Sequence, residues 1–173
     1  MVEISRKEME DRLRIEGERA SLEAGVSGLH AELIKYLGRL HFRTSYGQNV
    51  LAHSVEVSFL CAQIAAELGA HVETARRAGL LHDIGKGMTG EMEGPHASVG
   101  ARLCQKFGET AEVCHGVEAD HEDVEQKTVE AVLVQASDAV SAARPGARRE
   151  SLDTYIKRLE RLENLANEFP GVE

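Results

Sequence analysis

His82 and Asp83 stand side by side at the end of the apolar run Ala78-Gly79-Leu80-Leu81, and Gly85 and Lys86 follow at once. An adjacent imidazole and carboxylate are both metal-competent groups. Together they suit a divalent cation that holds water for attack on a phosphate ester. His53 lies upstream on a second helical segment, between apolar Leu51 and Val55. Asp138 lies downstream on a third, in Val134-Gln135-Ala136-Ser137-Asp138-Ala139-Val140. A carboxylate in so apolar a helix is costly unless it is paired or bound to metal. The ligand candidates in chain order are therefore His53, His82, Asp83, His96, His121 and Asp138. Each has a plainer reading: His53 as a hydrogen-bonded core residue, Asp138 as a partner of an arginine, His82-Asp83 as the cap of a helix. Those readings must explain several independent polar residues in apolar settings at once, which one metal site does more simply. His30, His41, His71 and His115 lack such settings and read as surface or supporting residues.

The elements that must position these side chains are helical. Residues 3–24 are rich in Glu and Arg, with Ile4, Leu13, Ile15 and Leu22 as a thin apolar stripe, the pattern of a charged helix or the end of a coiled coil. The stretch from Gly25 to Gly28 ends it. A second helix is predicted over 30–41 on the spacing of Leu33, Ile34, Leu37 and Leu40, followed by a polar break from Arg43 to Gly47. A long helix is predicted over 48–68, ended by Gly69. The next covers 71–83, ended by Gly85. The glycines of 84–95 mark a loop. Helices follow over about 96–107, 110–120 and 127–143, the last stopped by Pro145-Gly146, and a final one over about 150–167. No segment sustains a period of two. The fold class is all-α, a helical bundle that can gather inward side chains around a core site. Residues 1–28 form an N-terminal helical arm, and 29–173 form the domain with a C-terminal helix.

Composition narrows the function classes. The chain has 173 residues, 42% of them hydrophobic and 28% charged, with three prolines. That is enough apolar material for one core and argues against disorder. Aromatics make up 4%, so the core is built from aliphatic residues. A net charge of −9 opposes indiscriminate binding to a phosphate backbone, but it leaves room for RNA in a locally basic, metal-loaded cleft. The three cysteines (Cys61, Cys104 and Cys114) show no paired spacing and fit buried free thiols in a reducing compartment. No apolar run is expected to reach the length of a membrane span, and no signal peptide is visible. The expected location is cytoplasmic.

His53, then His82-Asp83, then Asp138 resembles the H…HD…D signature of the HD-domain metal-dependent phosphohydrolases, and Asp83-Ile84-Gly85-Lys86 resembles their HDIG subgroup. A narrower resemblance, to the ribonuclease Y family, covers nearly the whole chain from about residue 12. It rests on Glu16-Gly17-Glu18-Arg19-Ala20, on Arg43-Thr44-Ser45-Tyr46-Gly47-Gln48-Asn49-Val50-Leu51, and on Arg77 to Lys86. It rests also on His121-Glu122-Asp123-Val124-Glu125 and on Ser141-Ala142-Ala143-Arg144-Pro145-Gly146-Ala147-Arg148-Arg149-Glu150. The resemblance implies an all-α HD-domain helical bundle that acts as a metal-dependent endoribonuclease in mRNA turnover. It implies that His53, His82, Asp83 and Asp138 are metal ligands; for Asp83 a second role in orienting the nucleophile is expected from its chemistry. It further implies that His96 and His121 complete a second metal position and that Lys86 contacts the substrate phosphate. The cofactor would be one or two divalent ions, with Mn, Mg, Zn, Fe or Ni all compatible with the donors.

Family members also carry a membrane anchor, a coiled coil and a KH RNA-binding domain. None is in this sequence, which is expected to be either a fragment of such a protein or a short relative. Within a full-length protein it would sit at the cytoplasmic face of the membrane. Where the family pattern often has two adjacent histidines, this chain reads Asp120-His121, so Asp120 becomes a candidate ligand for a harder second ion. Arg144, Arg148 and Arg149 read either as a basic strip that positions an RNA backbone or as loop residues paired with the many acidic groups. RNA is the expected partner, and a homodimer is expected through the N-terminal arm. Two other classes compete: an HD phosphohydrolase acting on nucleotides or cyclic nucleotides, and a non-catalytic dimerisation scaffold.

Overall fold

The computed structural model describes residues 2–88, 90, 92–121, 124–144, 147 and 159–165. In it the helices are α1 (Val2–Glu23), α2 (Ala31–His41), α3 (Val50–Leu68), α4 (Val72–Leu81), α5 (His96–Lys106), α6 (Ala111–Glu118) and α7 (Val129–Ala143). A short hairpin of β1 (Thr44–Ser45) and β2 (Gln48–Asn49) precedes α3, and a 3₁₀ helix spans Ile84–Met88. Residues 159–165 are helical, while the rest of the last predicted helix lies outside the described residues.

Caps set the helix starts. The side chains of Asn49, Thr110 and Thr128 accept from the N–H groups of Ala52, Val113 and Ala131, satisfying donors that the first turn leaves without a helical partner. The core is aliphatic, with Leu33, Leu37, Leu40, Val57, Leu80, Leu81, Ile84, Val113 and Val134 fully buried. α3 runs through its centre and packs on α4 and α7, while α5 packs on α6 and on the 3₁₀ helix. By length and composition α3 is apolar enough to cross a membrane, at a mean hydropathy of 1.2. This corrects the expectation that no run reaches that length. More than half of it is buried against the rest of the domain, which accounts for its apolar character without a bilayer.

Three further expectations change. The buried face of α1 is not the stripe through Ile15 and Leu22, which are exposed, but the small residues Gly17, Ala20 and Ser21, with Ala24 just past its end. Close approach explains this. A Cβ on Gly17 would lie 1.9 Å from the Ile34 carbonyl oxygen, and one on Gly38 would lie 1.8 Å from that of Leu13, so only glycines let α1 and α2 cross at this distance. The helix predicted to start at 48 starts at Val50, because the polar break is a hairpin whose two-residue strands are too short to show any periodicity. The helix predicted over 71–83 ends at Leu81, and the first five residues of the predicted 84–95 loop form the 3₁₀ helix.

Arg77 on α4 fastens the loop between α1 and α2 to the domain. It donates to the Ser27 carbonyl at 2.7 Å and to both oxygens of Glu109 at 2.5 and 2.8 Å. The Glu109 side chain is only 3% exposed, so Arg77→Ala strands a buried carboxylate. The expected loss is about 3 kcal/mol, read as a lower urea midpoint. A midpoint unchanged from wild type would show that water satisfies Glu109.

Candidate metal centre

Four helices and the 3₁₀ turn bring the candidate ligands together. His53 comes from the second turn of α3, His82 and Asp83 from the link between α4 and the 3₁₀ helix, His96 from the first residue of α5, and Asp138 from the middle of α7. Asp120 and His121 lie just beyond α6. The mouth is a cavity of about 430 Å³ lined by His53, Asp83, Lys86, His96, His121 and Asp138, together with Ser45, Tyr46, Gln48 and Val50. His82 and Asp120 are buried to 0% and 1% exposure behind it.

The hydrogen bonds settle which ring nitrogens point inward. His82 Nδ1 lies 2.8 Å from the Gly79 carbonyl. A carbonyl only accepts, so Nδ1 carries the proton and Nε2 is turned into the site, where it has no hydrogen-bond partner. His82 Nε2 sits 3.5 Å from Asp83 and 3.9 Å from Asp138. His53 is held in the same manner: Nδ1 lies 2.9 Å from the Ser141 hydroxyl and Nε2 lies 2.8 Å from Asp138. A ring nitrogen anchored to the protein while the other faces carboxylates is how metal-binding imidazoles are oriented. Neither Ser141 nor the Gly79 carbonyl was visible as a site residue in the sequence. The one available signal for Ser141 was its place one helical turn from Asp138.

Ligand atoms fall into three overlapping groups: His53, His82 and Asp138; Asp83, His96 and His121; and Asp120, His121 and Asp138. In each, one ligand atom per residue lies within 4.8 Å of the others. Donors held at about 2.1 Å from one ion lie at most about 4.2 Å apart, so contraction by a few tenths of an ångström suffices. The donor chemistry fits as well. The Nε2 atom of His82 and both carboxylate oxygens of Asp120 are buried without a hydrogen-bond partner, a costly arrangement unless a cation satisfies them. His96 Nε2 lies 2.8 Å from His121 Nε2 and 3.5 Å from Asp83. Each of these groups could therefore hold a divalent ion. Nitrogen with carboxylate oxygen admits Mn, Fe, Zn, Ni or Mg.

The electrostatics are those of a site short of positive charge. Burial works against charging His82, yet Asp83, Asp120 and Asp138 outweigh it and hold its pKa up at about 10. Burial raises Asp83, but His82 and Lys86 pull it well below the usual carboxylate range. The Lys86 ammonium is 2.7 Å from the Asp83 carboxylate. Burial pushes Asp120 up, and Asp138 and Asp83 add to the push. His96 is driven down to about 4 by burial, with Lys86 and His121 adding to that and Asp83 opposing it, which leaves it neutral and able to ligate.

The arginines separate. Arg144 is engaged with Glu56 at 2.7 Å and does not line the cavity. Arg148 and Arg149 lie outside the described residues. Of the histidines set aside, His30 caps α2 through the Glu32 N–H, and His115 accepts from the Lys127 N–H.

Because Ser141 orients His53 without facing the cavity, Ser141→Ala is expected to lower metal affinity by roughly 10- to 100-fold while leaving the helix content intact. Calorimetric titration with Mn²⁺ or Zn²⁺ measures this. Wild-type affinity would mean that packing alone aligns the ring.

The HD domain family matches residues 50–143, the span from the first turn of α3 to the end of α7. Proteins named ribonuclease Y from Desulforudis audaxviator and Desulforamulus reducens are 61% identical to the chain, and one from Clostridium perfringens is 60% identical. Each match covers all of this chain but 34% of the relative, so the chain spans about a third of the length of these proteins. A crystal structure described as a predicted HD superfamily hydrolase, from an uncultured Thermotogales bacterium, superposes with a TM-score of 0.51 at 17% identity. That superposition covers 79% of this chain and 91% of the other, and it shows a shared fold.

Proposed function

The chain belongs to the HD-domain family, and from that premise we propose that it is a metal-dependent phosphodiesterase whose substrate is RNA. The observation that carries the reading is His82. A fully buried ring donates one nitrogen to the Gly79 carbonyl and turns the other, unpartnered, toward Asp83 and Asp138. His53, His82, Asp83 and Asp138 would hold one divalent ion, and His96, His121 and Asp120 a second. The chemistry such an ion supplies when bound is Lewis acidity toward a phosphoryl oxygen and a lowered pKa for water. Lys86 brings a positive charge to the cavity wall, where it binds and orients a phosphate oxygen. Asp83 holds the Lys86 ammonium toward the cavity and orients the attacking water. The buried floor of His82 and Asp120 excludes bulk solvent, which strengthens each of these charge interactions.

RNA is favoured over smaller esters by the names of the relatives and by a cavity that opens on the surface beside the hairpin. Residues 1–28 would serve as an arm that pairs with a second copy, for which the exposed Met9, Ile15 and Leu22 on α1 supply apolar area. The test is a cleavage screen of the purified protein, reconstituted with Mn²⁺, Mg²⁺ or Zn²⁺ after chelation. Single-stranded RNA, 2′,3′-cyclic nucleotides and nucleoside monophosphates are the three arms. Metal-restored cleavage confined to RNA is expected. Activity on the small esters alone would overturn the RNA assignment, and a protein that takes up no metal would overturn both.

A further inference from the structure

The hairpin at the mouth of the cavity carries a tyrosine in an unfavourable place. Tyr46 and Gly47 are the two central residues between β1 and β2, with φ of +51° and +82°. Among the described residues, Tyr46 is the only non-glycine with positive φ. Two-residue hairpin turns of this hand favour Asn or Asp before the glycine, and a bulky side chain there is held at a local cost. Tyr46 is 75% exposed, and with Ser45 and Gln48 it lines the same cavity as Asp83, Lys86 and Asp138.

The hairpin is also firmly mounted. Asn49 caps α3 through Ala52 and donates its side-chain amide to the His41 carbonyl at 2.6 Å, and the Val50 N–H reaches the Arg43 carbonyl at 3.1 Å. One turn of α3 further on is His53. The hairpin that carries Tyr46 is therefore fixed to the start of α3 rather than forming a free loop.

We propose that Tyr46 is a substrate-binding residue that stacks on a nucleobase next to the scissile phosphate. This inference rests on the RNA reading above. Unstacked bases of single strands are commonly received on aromatic faces, and such stacking tolerates any base. A duplex keeps its bases stacked internally and offers none to the ring.

Steady-state cleavage of a short single-stranded RNA with one preferred cut site, and of the same RNA carrying abasic riboses on both sides of that cut, tests the proposal. Tyr46→Ala is expected to raise KM on the intact RNA by about 5- to 100-fold and to change kcat far less. Tyr46→Phe keeps the ring and is expected to restore the wild-type KM. On the abasic RNA the difference between wild type and Y46A is expected to vanish. Tyr46→Asn suits the turn and is expected to melt no lower than wild type while showing the same raised KM, which separates the ring's role from any part in folding. The sequence contains no tryptophan, so Y46W carries the sole indole. Its fluorescence should fall in stopped-flow mixing with intact RNA before cleavage and stay unchanged with abasic RNA. Cleavage of RNA with KM unmoved in Y46A, or with no base-dependent quenching in Y46W, would overturn the stacking role and leave the RNA reading standing. A wild-type protein that cleaves no RNA would remove both.

Discussion

Asp83→Asn is expected to lower kcat/KM for RNA cleavage by about a thousandfold or more, on the order of 4 kcal/mol of transition-state stabilisation, while the protein remains folded. Asp83 is 1% exposed and is shared by three neighbours: Lys86 at 2.7 Å, His82 at 3.5 Å and His96 at 3.5 Å. It belongs to the ligand group of His96 and His121 and lies against His82 of the neighbouring group. Asparagine keeps the shape but removes the charge that holds Lys86 and balances the ion, so both metal uptake and phosphate orientation should fall together. Asp83→Ala should show the same loss in activity. Metal content by atomic emission, helix content by circular dichroism and cleavage rate are measured on the same preparations. A variant that cleaves at the wild-type rate with full metal content would remove Asp83 from the mechanism. One that has lost its helices would assign it to folding instead.

Gly85→Ala is expected to be among the most destabilising single-methyl additions in the chain, at about 3 kcal/mol. A Cβ at this position would lie 1.9 Å from the His96 carbonyl oxygen and 2.8 Å from the Gly100 backbone nitrogen. Both contacts are backbone of α5, so no side-chain rotation relieves them. The 3₁₀ helix must back away from α5, and that movement separates Asp83 and Lys86 from His96. Activity should therefore fall more than stability alone would explain, since metal geometry tolerates little displacement. Gly108→Ala is the comparison. It has open space around it and a φ of +84°, so it should lose only about 1 kcal/mol, from backbone conformation. Urea denaturation of the two variants distinguishes steric exclusion from conformational strain. Equal midpoints would show that the 3₁₀ helix and α5 can part without loss.

The role of Gly85 shows where local reading stops. In the sequence it looks like the end of a helix, because a glycine after an apolar run is the ordinary stop signal. The helix has already ended at Leu81, and the glycine is required by a helix whose first residue lies eleven positions later. Gly17 and Gly38 repeat the lesson: neither ends α1 or α2, and each makes room for the other helix. The apolar stripe of α1 does not mark its buried face for the same reason, since a surface built for close approach is made of small residues and has little hydrophobic periodicity.

The local part of the structure is legible in the chain alone. Periodicity and capping residues placed seven helices to within a few residues, because backbone hydrogen bonding and the 3.6-residue repeat act over one or two turns. The expense of burying a carboxylate singled out Asp138, and side-chain chemistry singled out His82-Asp83. Tertiary structure alone decided which nitrogen of each histidine faces inward, since this depends on the Gly79 carbonyl and on Ser141, brought to His53 across 88 positions. It alone decided that Asp120 has both oxygens buried beside Asp138, and that a polar break is a hairpin aiming Tyr46 at the cavity mouth. Hydrogen bonds and steric exclusion between distant segments leave no period in the chain, so they become visible only when the segments meet. The pair His82-Asp83 announced metal chemistry, and the helices packed around it determine which other residues share that site.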